Sequence, residues 1–354
     1  MVRGLEGDPE SAASNGGTES LKLSTERVLT THVGSLPRSQ PVVDMLFQRE
    51  SGKEYPRAEF ERVMDSAVNE IVRHQCQIGI DIVSDGETAK IGYATYIKDR
   101  LTGFDGDNPR QVALDMKDHP DFRARMAVFA GKQTFKRQSC VGPITYQGYD
   151  DLNRDITSLR AAARAHGAPE AFLNAASPGV VSAFQPNSYY PEEEFLRRAE
   201  HQVEVMNHAL RNIPAKSLRM HVCWGNYEGP HDHDIPLEKV LGIILRAKPA
   251  AIAFEASNPR HAHEWTVWKS AAVPGDKILI PGLLTSTSNY VEHPELVAQR
   301  IEQFADIVGR ERVLAGTDCG FGTFAGIGKM DADISYKKLA ALVEGAALAS
   351  RRLW

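Results

Sequence analysis

Eight short apolar runs punctuate this chain, and stretches of helical periodicity separate most of them. The runs cover residues 28–35, 81–85, 138–146, 171–176, 218–224, 251–256, 277–284 and 312–319. Between them, residues 59–77 carry Phe60, Val63, Met64, Ala67, Ile71 and Val72 at helical spacing. Residues 192–210 do the same through Phe195, Ala199, Val203, Met206 and Leu210. Pro294 opens a further helix over 295–308, a favoured first-turn position, and 237–245 and 337–348 complete the set. This alternation predicts an α/β protein with a parallel sheet, either a TIM-type (β/α) barrel or an open doubly wound sheet. The polar residues favour the barrel. His32 and Ser35, Asp85 and Glu87, His221 and Cys223, Glu255 and Asn258, Ser286 and Asn289, and Asp318 and Cys319 all fall at or just after the runs. A barrel gathers all such strand ends on one face, whereas an open sheet leaves the first and last far apart.

Composition narrows the function. The chain has 354 residues, 42% hydrophobic, which is ample for a large core. A net charge of −5 and the lack of a basic cluster argue against nucleic-acid binding. No apolar run approaches the length of a membrane span, and no apolar signal core opens the chain. Four cysteines, Cys76, Cys140, Cys223 and Cys319, make no disulfide framework in a chain this long and fit a reducing, cytoplasmic setting. Residues 1–24 are rich in Gly, Ser, Glu and Asp, and the expectation is a disordered tail before a single domain over 25–354.

The 218–224 run holds the sharpest chemistry. Side chains alternate faces along a strand, so His221 and Cys223 project together. Imidazole and thiolate on one face are half of a tetrahedral zinc site. Glu255 ends another run, where a carboxylate is otherwise poorly solvated, and Cys319 follows a third. Structural zinc sites draw on closely spaced pairs, but these four candidates span almost a hundred residues, as ligands from separate strand ends would. A thiol bound to zinc is deprotonated outright and becomes a nucleophile at neutral pH. Glu255 is the natural ligand to yield its place to a substrate sulfur.

Other residues read more plainly. Cys76 and Cys140 are expected to be small buried hydrophobes. The His-Asp-His-Asp run at 231–234 lies between Pro230 and Pro236 and is expected to be a solvated loop. His261 and His263 are expected in capping or ionic roles, and His293 as the cap before Pro294. Gly320-Phe321-Gly322 is too short for a dinucleotide fingerprint.

Taken together, Thr30-Thr31-His32-Val33-Gly34-Ser35-Leu36-Pro37-Arg38, Ser84-Asp85-Gly86-Glu87, His221-Val222-Cys223-Trp224-Gly225-Asn226, Phe254-Glu255-Ala256-Ser257-Asn258 and Gly316-Thr317-Asp318-Cys319-Gly320 resemble the cobalamin-independent methionine synthase family. The closer resemblance is to short, single-barrel relatives of that enzyme's C-terminal half. It implies a TIM barrel with catalytic zinc on His221, Cys223, Glu255 and Cys319, and methyl transfer from a methyltetrahydrofolate to homocysteine sulfur. It also implies that backbone at the Gly34-Ser35 turn and the Glu87 carboxylate hold the amino acid. His32 and Asn226, in the same motifs, join Gly34, Ser35 and Glu87 as substrate-binding candidates.

The chain departs from the family's pattern in two places. Tyr189-Tyr190-Pro191 runs straight into Glu192 where the family has a further helix and a strand bearing an acidic residue for the substrate ammonium. On that alignment the barrel is incomplete or irregular, one βα unit short near Tyr190–Glu192. The family's acid histidine after the seventh strand corresponds to the neighbourhood of Thr287. The resulting expectation is a zinc-dependent S-methyltransferase with Glu87 and Glu255 in catalytic roles. Its partners are a small-molecule thiol and a methyl donor, methyltetrahydrofolate or another; monomer and oligomer both stay open. The alternatives are alkylation of a different thiol, in the manner of epoxide–coenzyme M transferases, and a degenerate, non-catalytic barrel.

Overall fold

The computed structural model describes residues 21–52, 54–108, 112–129, 136–186, 188–189, 199–327 and 330–354. Its strands are β1 Leu29–Thr30, β2 Ile82–Ser84, β3 Phe104–Asp105, β4 Ser139–Cys140, β5 Glu170–Phe172, β6 Arg219–Val222, β7 Ala251–Phe254, β8 Ile278–Pro281 and β9 Leu314–Ala315. Every predicted run overlaps one of them, although β5 starts one residue before the 171–176 run. The short β3 carries no periodic signal; it pairs antiparallel with β4, which sets the 138–146 run apart from the parallel strands.

The remaining strands form one parallel series. β6, β7 and β8 are hydrogen-bonded neighbours, with His221 beside Ala253 and Phe254 beside Pro281. Parallel bridges Leu279–Val313 and Gly282–Gly316 carry the series to β9, which pairs with β1. Asp81 then locks β1 to β2. Its N–H donates to Thr30 O at 3.2 Å, and its carboxylate accepts the Thr30 N–H at 2.8 Å. β2 pairs with β5, giving the order β6-β7-β8-β9-β1-β2-β5. Among the described residues no ladder joins β5 to β6, so the sheet does not close. A cleft of about 740 Å³ lies between these two strands, lined by Leu21, Lys22, Phe172, Leu218 and Arg219 among others. The expected junction at Tyr190–Glu192 lies outside the described residues, as do residues 1–20 of the expected tail. Residues 21–24 do pack: the Leu21 N–H donates to Lys216 O at 2.8 Å, and the buried Ser24 hydroxyl to Val313 O at 2.6 Å.

Period-two alternation buries both faces of the central strands, as a parallel sheet requires. Ile82, Ala251, Ala253, Ile278, Ile280 and Leu314 pack together on the inner face, joined by Leu29 and Phe172. Val83, Ile252, Phe254, Leu279 and Ala315 face outward against Trp268, Ile301, Phe304, Leu339 and Leu342 of the surrounding helices. The predicted helices appear as Arg57–Ile78, Leu237–Ile244, Pro294–Val308 and Ala332–Leu353, with Ala199–Ala209 as the described part of the 192–210 stretch. Gly79, at φ 97°, ends the first of these in the left-handed turn that feeds β2. Helices at Gln40–Glu50 and Tyr149–His166 were not expected from periodicity. The second buries only Asp155, Leu159 and Ala162, a stripe too narrow to stand out in sequence. Among the described residues no helix is long and apolar enough to cross a membrane.

Candidate metal centre and acceptor pocket

Parallel register brings the ends of β6, β7, β8 and β9 to one level. His221 Nε2 lies 3.3 Å from Cys319 Sγ, and Cys223 Sγ lies 3.1 Å from it. The ligand atoms of these three residues all fall within 4.8 Å of one another. Cys319 is buried, while His221 and Cys223 face solvent, so the group is open on one side. Cys223 is held well below the usual thiol range by hydrogen bonding from Cys319 and by His221. Cys319 is correspondingly pushed up by Cys223 and by burial.

Glu255 stands beside this triad. Its Oε1 is 3.9 Å from Cys319 Sγ and accepts the Trp224 N–H at 2.8 Å. Its Oε2 accepts from Asn258 Nδ2 at 2.8 Å and from Arg260 Nη2 at 2.9 Å. Burial, then the neighbouring charges of Cys223 and Asp318, pushes the carboxyl up to about 9. Asp318 fixes the turn after β7. Its carboxylate accepts the N–H groups of Ala256, Ser257 and Asn258 at 2.8–2.9 Å, and the Asn258 side chain at 2.9 Å. Burial raises Asp318 to about 6 against the pull of those bonds. Gly282 is required here, because a Cβ on it would overlap Asp318.

Asn226 stitches neighbouring loops together rather than presenting a free amide. It donates to Gly320 O at 2.7 Å and accepts the Ser286 hydroxyl at 2.7 Å. Ser35 sits against Gly320, next to Cys319, so the β1 loop reaches the metal centre. Gly34, at φ 144°, leaves room for Asn174, whose amide donates to Val33 O at 2.7 Å and Glu87 Oε1 at 2.6 Å. Glu87 is 4% exposed, and its φ of 55° is a left-handed conformation rare for a residue with a side chain. Its Oε2 is buried without a hydrogen-bond partner among the described residues. Lys90 donates to Asn174 O at 2.7 Å, and Arg38 to Glu87 O at 2.7 Å, buttressing this corner. His32 is buried; its Nε2 meets Gln75 Oε1 at 2.7 Å and its Nδ1 has no described partner.

Sequence reasoning missed Asn174, Lys90, Gln75, Arg38, Arg260 and Arg219. Only Arg219 carried a local signal, two residues before His221 on the same strand face. The 231–234 segment is a loop with Asp232 and His233 exposed, as expected, but His231 is not solvated. His231 is 6% exposed, its N–H donates to Asp115 at 3.0 Å, and its ring meets Asp234 at 3.1 Å. The nearby helix Leu114–Asp118, invisible to periodicity, supplies that carboxylate and buries the histidine. His261 is ionic as expected, meeting Glu264 at 2.8 Å, and His293 caps the helix Pro294–Val308 through the Glu295 N–H. Cys76 and Cys140 stand apart from the metal centre.

The chain as a whole is similar to known proteins. The family model of the cobalamin-independent synthase catalytic domain matches residues 28–113. Methionine synthase of Saccharolobus solfataricus is 22% identical over 343 residues, covering 89% of this chain and 93% of that protein. Methionine synthase of Thermococcus kodakarensis is 23% identical, covering 92% and 94%. Over most of its length the chain is similar to cobalamin-independent methionine synthases. It matches the 5-methyltetrahydropteroyltriglutamate–homocysteine methyltransferase of Lactococcus lactis at 21% identity, covering 86% of this chain but only 42% of that one. The solved B12-independent methionine synthase of Shewanella sp. W3-18-1, in complex with selenomethionine, superposes with a TM-score of 0.64 at 17% identity, covering 92% of this chain and 99% of that one. The likeness to that cobalamin-independent synthase is one of fold.

Proposed function

We propose that this chain is a zinc-dependent methyltransferase that methylates homocysteine sulfur, with a methyltetrahydropteroylglutamate as donor. The observation that carries the reading is the convergence of His221, Cys223 and Cys319 at one open mouth. The donor set suits zinc: imidazole and thiolate are its preferred ligands, and an open side marks catalytic rather than structural sites. Glu255 would supply a fourth, exchangeable ligand to the metal, and its bond to Arg260 would hold the carboxylate when it yields. Zinc bound there lowers the pKa of an incoming thiol, so that sulfur reacts as thiolate. Glu87 and the Gly34-Ser35 turn hold the amino acid, while His32 and Asn226 shape the pocket around it. The sulfur lone pair forms the new S–CH₃ bond; the C–N bond of the donor breaks, and its electron pair stays on nitrogen, which takes a proton from water.

We also infer a TIM-type barrel lacking one βα unit, since β5 and β6 flank the cleft where an eighth strand would lie. A reducing compartment such as the cytoplasm keeps Cys223 and Cys319 available to metal. The second reading, alkylation of another thiol by an epoxide-like electrophile, is favoured by one observation. His293 is committed to capping, and the loop near Thr287 holds no other histidine to protonate a folate nitrogen.

The test is direct. Purified zinc-loaded protein is given homocysteine with methyltetrahydropteroyltriglutamate, and methionine is measured alongside bound zinc for wild type and Cys223→Ser. Methionine should form in the wild type, and the variant should lose both zinc and turnover. Unchanged zinc in Cys223→Ser would refute the ligand assignment. Product only from an epoxide and a different thiol would select the second reading.

A further inference from the structure

Arg219 is the one strong cation on the inner face of β6. Its neighbour across the ladder is Ala251, which faces the interior of the sheet, so Arg219 and His221 project the same way. The guanidinium lies over the Phe172 ring and donates from Nη1 to Thr31 Oγ1 at 2.9 Å. Its Nη2 is buried with no hydrogen-bond partner among the described residues. Burial depresses its pKa, and Glu170 offsets this only in part. A buried donor without a partner is costly to maintain, and an anionic ligand would supply the missing acceptor.

The second half of the pattern is Glu87, whose Oε2 is the matching orphan acceptor. Two short segments bound the separation. Arg219 rests on Thr31 and Phe172; Glu87 is tied through the Asn174 amide, which also bonds Val33. Thr31 to Val33 and Phe172 to Asn174 are each two residues apart, at most about 7 Å along the chain. An α-amino acid with its ammonium on a carboxylate and its own carboxylate on a guanidinium spans about 7–8 Å between those partners. His221 lies a further two residues along the same face, toward the metal centre, and Ser35 reaches Gly320 beside Cys319.

Resting on the function proposed above, we propose that Arg219 binds the carboxylate of the thiol amino acid, and so selects an acceptor carrying an anionic group over a thiol that carries none. The zwitterionic head bridges Glu87 and Arg219, and its side chain carries sulfur on toward Cys223 and Cys319.

The experiment compares homocysteine with 3-mercaptopropylamine, which is homocysteine without its carboxylate, and with 2-mercaptoethanesulfonate, which keeps an anion but lacks the ammonium. In Arg219→Met the KM for homocysteine should rise about 10–100-fold, while that for 3-mercaptopropylamine stays as in wild type. Arg219→Lys should recover part of the loss. Calorimetry on the full chain gives a readout free of turnover: in the wild type L-methionine should bind about tenfold or more tighter than 3-(methylthio)propylamine, and Arg219→Met should lose most of that preference. Equal binding of those two, or equal KM changes for homocysteine and its decarboxylated analogue, overturns the proposal. A preference for 2-mercaptoethanesulfonate over homocysteine keeps the anion subsite but removes the amino-acid assignment. If no thiol is methylated, the proposed function fails, and the calorimetric comparison still decides Arg219.

Discussion

His32, Glu87 and Arg219 share one property: each is a polar side chain placed in the interior with an atom that has no hydrogen-bond partner among the described residues. Such groups are rare in native folds because desolvation of an unpaired donor or acceptor costs about 1–3 kcal/mol. Glu87 adds backbone strain, at φ 55°. Their clustering around the loop after β1 is what distinguishes a pocket from a core. His32 also makes a prediction about pH. Burial pushes it down to about 4 from an ordinary value of 6.5, opposed by Gln75 and aided by Arg219. The folded state therefore holds His32 neutral. Between pH 6.5 and 4 the unfolded chain binds the extra proton. The stability from this group is thus complete above 6.5 and falls as pH drops through that window, by about 3 kcal/mol in all. Urea unfolding at pH 7 and pH 4.5 should show the loss, and His32→Gln should shrink it. Equal pH slopes for variant and wild type would show that His32 is not the group responsible.

At the scale of elements, the site depends on how distant segments are tied to strand ends. The helix Ala332–Leu353 supplies none of the metal ligands, yet its Lys338 is wholly buried. It donates to Glu292 Oε2 at 2.7 Å and to Tyr290 O at 2.5 Å. Glu292 in turn accepts the Thr285 N–H at 2.8 Å, which shapes the loop carrying Ser286 to Asn226. Removing one member of a buried ion pair strands the other charge, at a typical cost of 3–5 kcal/mol. Lys338→Met should therefore destabilise the fold by about that much in chemical denaturation. A double variant that also replaces Glu292 with Gln should recover much of the loss. A Lys338→Met protein as stable as wild type would rule out this tie.

At the scale of the molecule, the parallel series β6-β7-β8-β9-β1-β2-β5 is curved but open, and its two ends face one another across the cleft. β2, β7, β8 and β9 are buried throughout, whereas β5 and β6 keep exposed positions. A metal bridging the ends of β6 and β9 would add a link close to this weak side. A ligand that binds only the folded state, at a hundredfold above its dissociation constant, stabilises by about 2.7 kcal/mol. Stripping zinc with a chelator should lower the melting midpoint by several degrees, and added zinc should restore it. An unchanged midpoint in protein shown to have lost its metal would mean that the ion does not brace the open side.

Periodicity and polar strand ends were enough to locate every strand of the parallel series, because a strand buried on both faces must be a short apolar run and its loop must be polar. The same logic marked His221 and Cys223, since two residues along a strand share a face whatever the rest of the chain does. Tertiary structure decided the remainder. That Cys319 meets them within bonding reach follows from the register of β6 to β9, and no local pattern encodes register. The burial of His231 depended on Asp115, more than a hundred residues away, and the orphan nitrogen of Arg219 depended on what failed to approach it. A sequence fixes which side chains can face the interior; which of them finds a partner there is settled only when every element has packed.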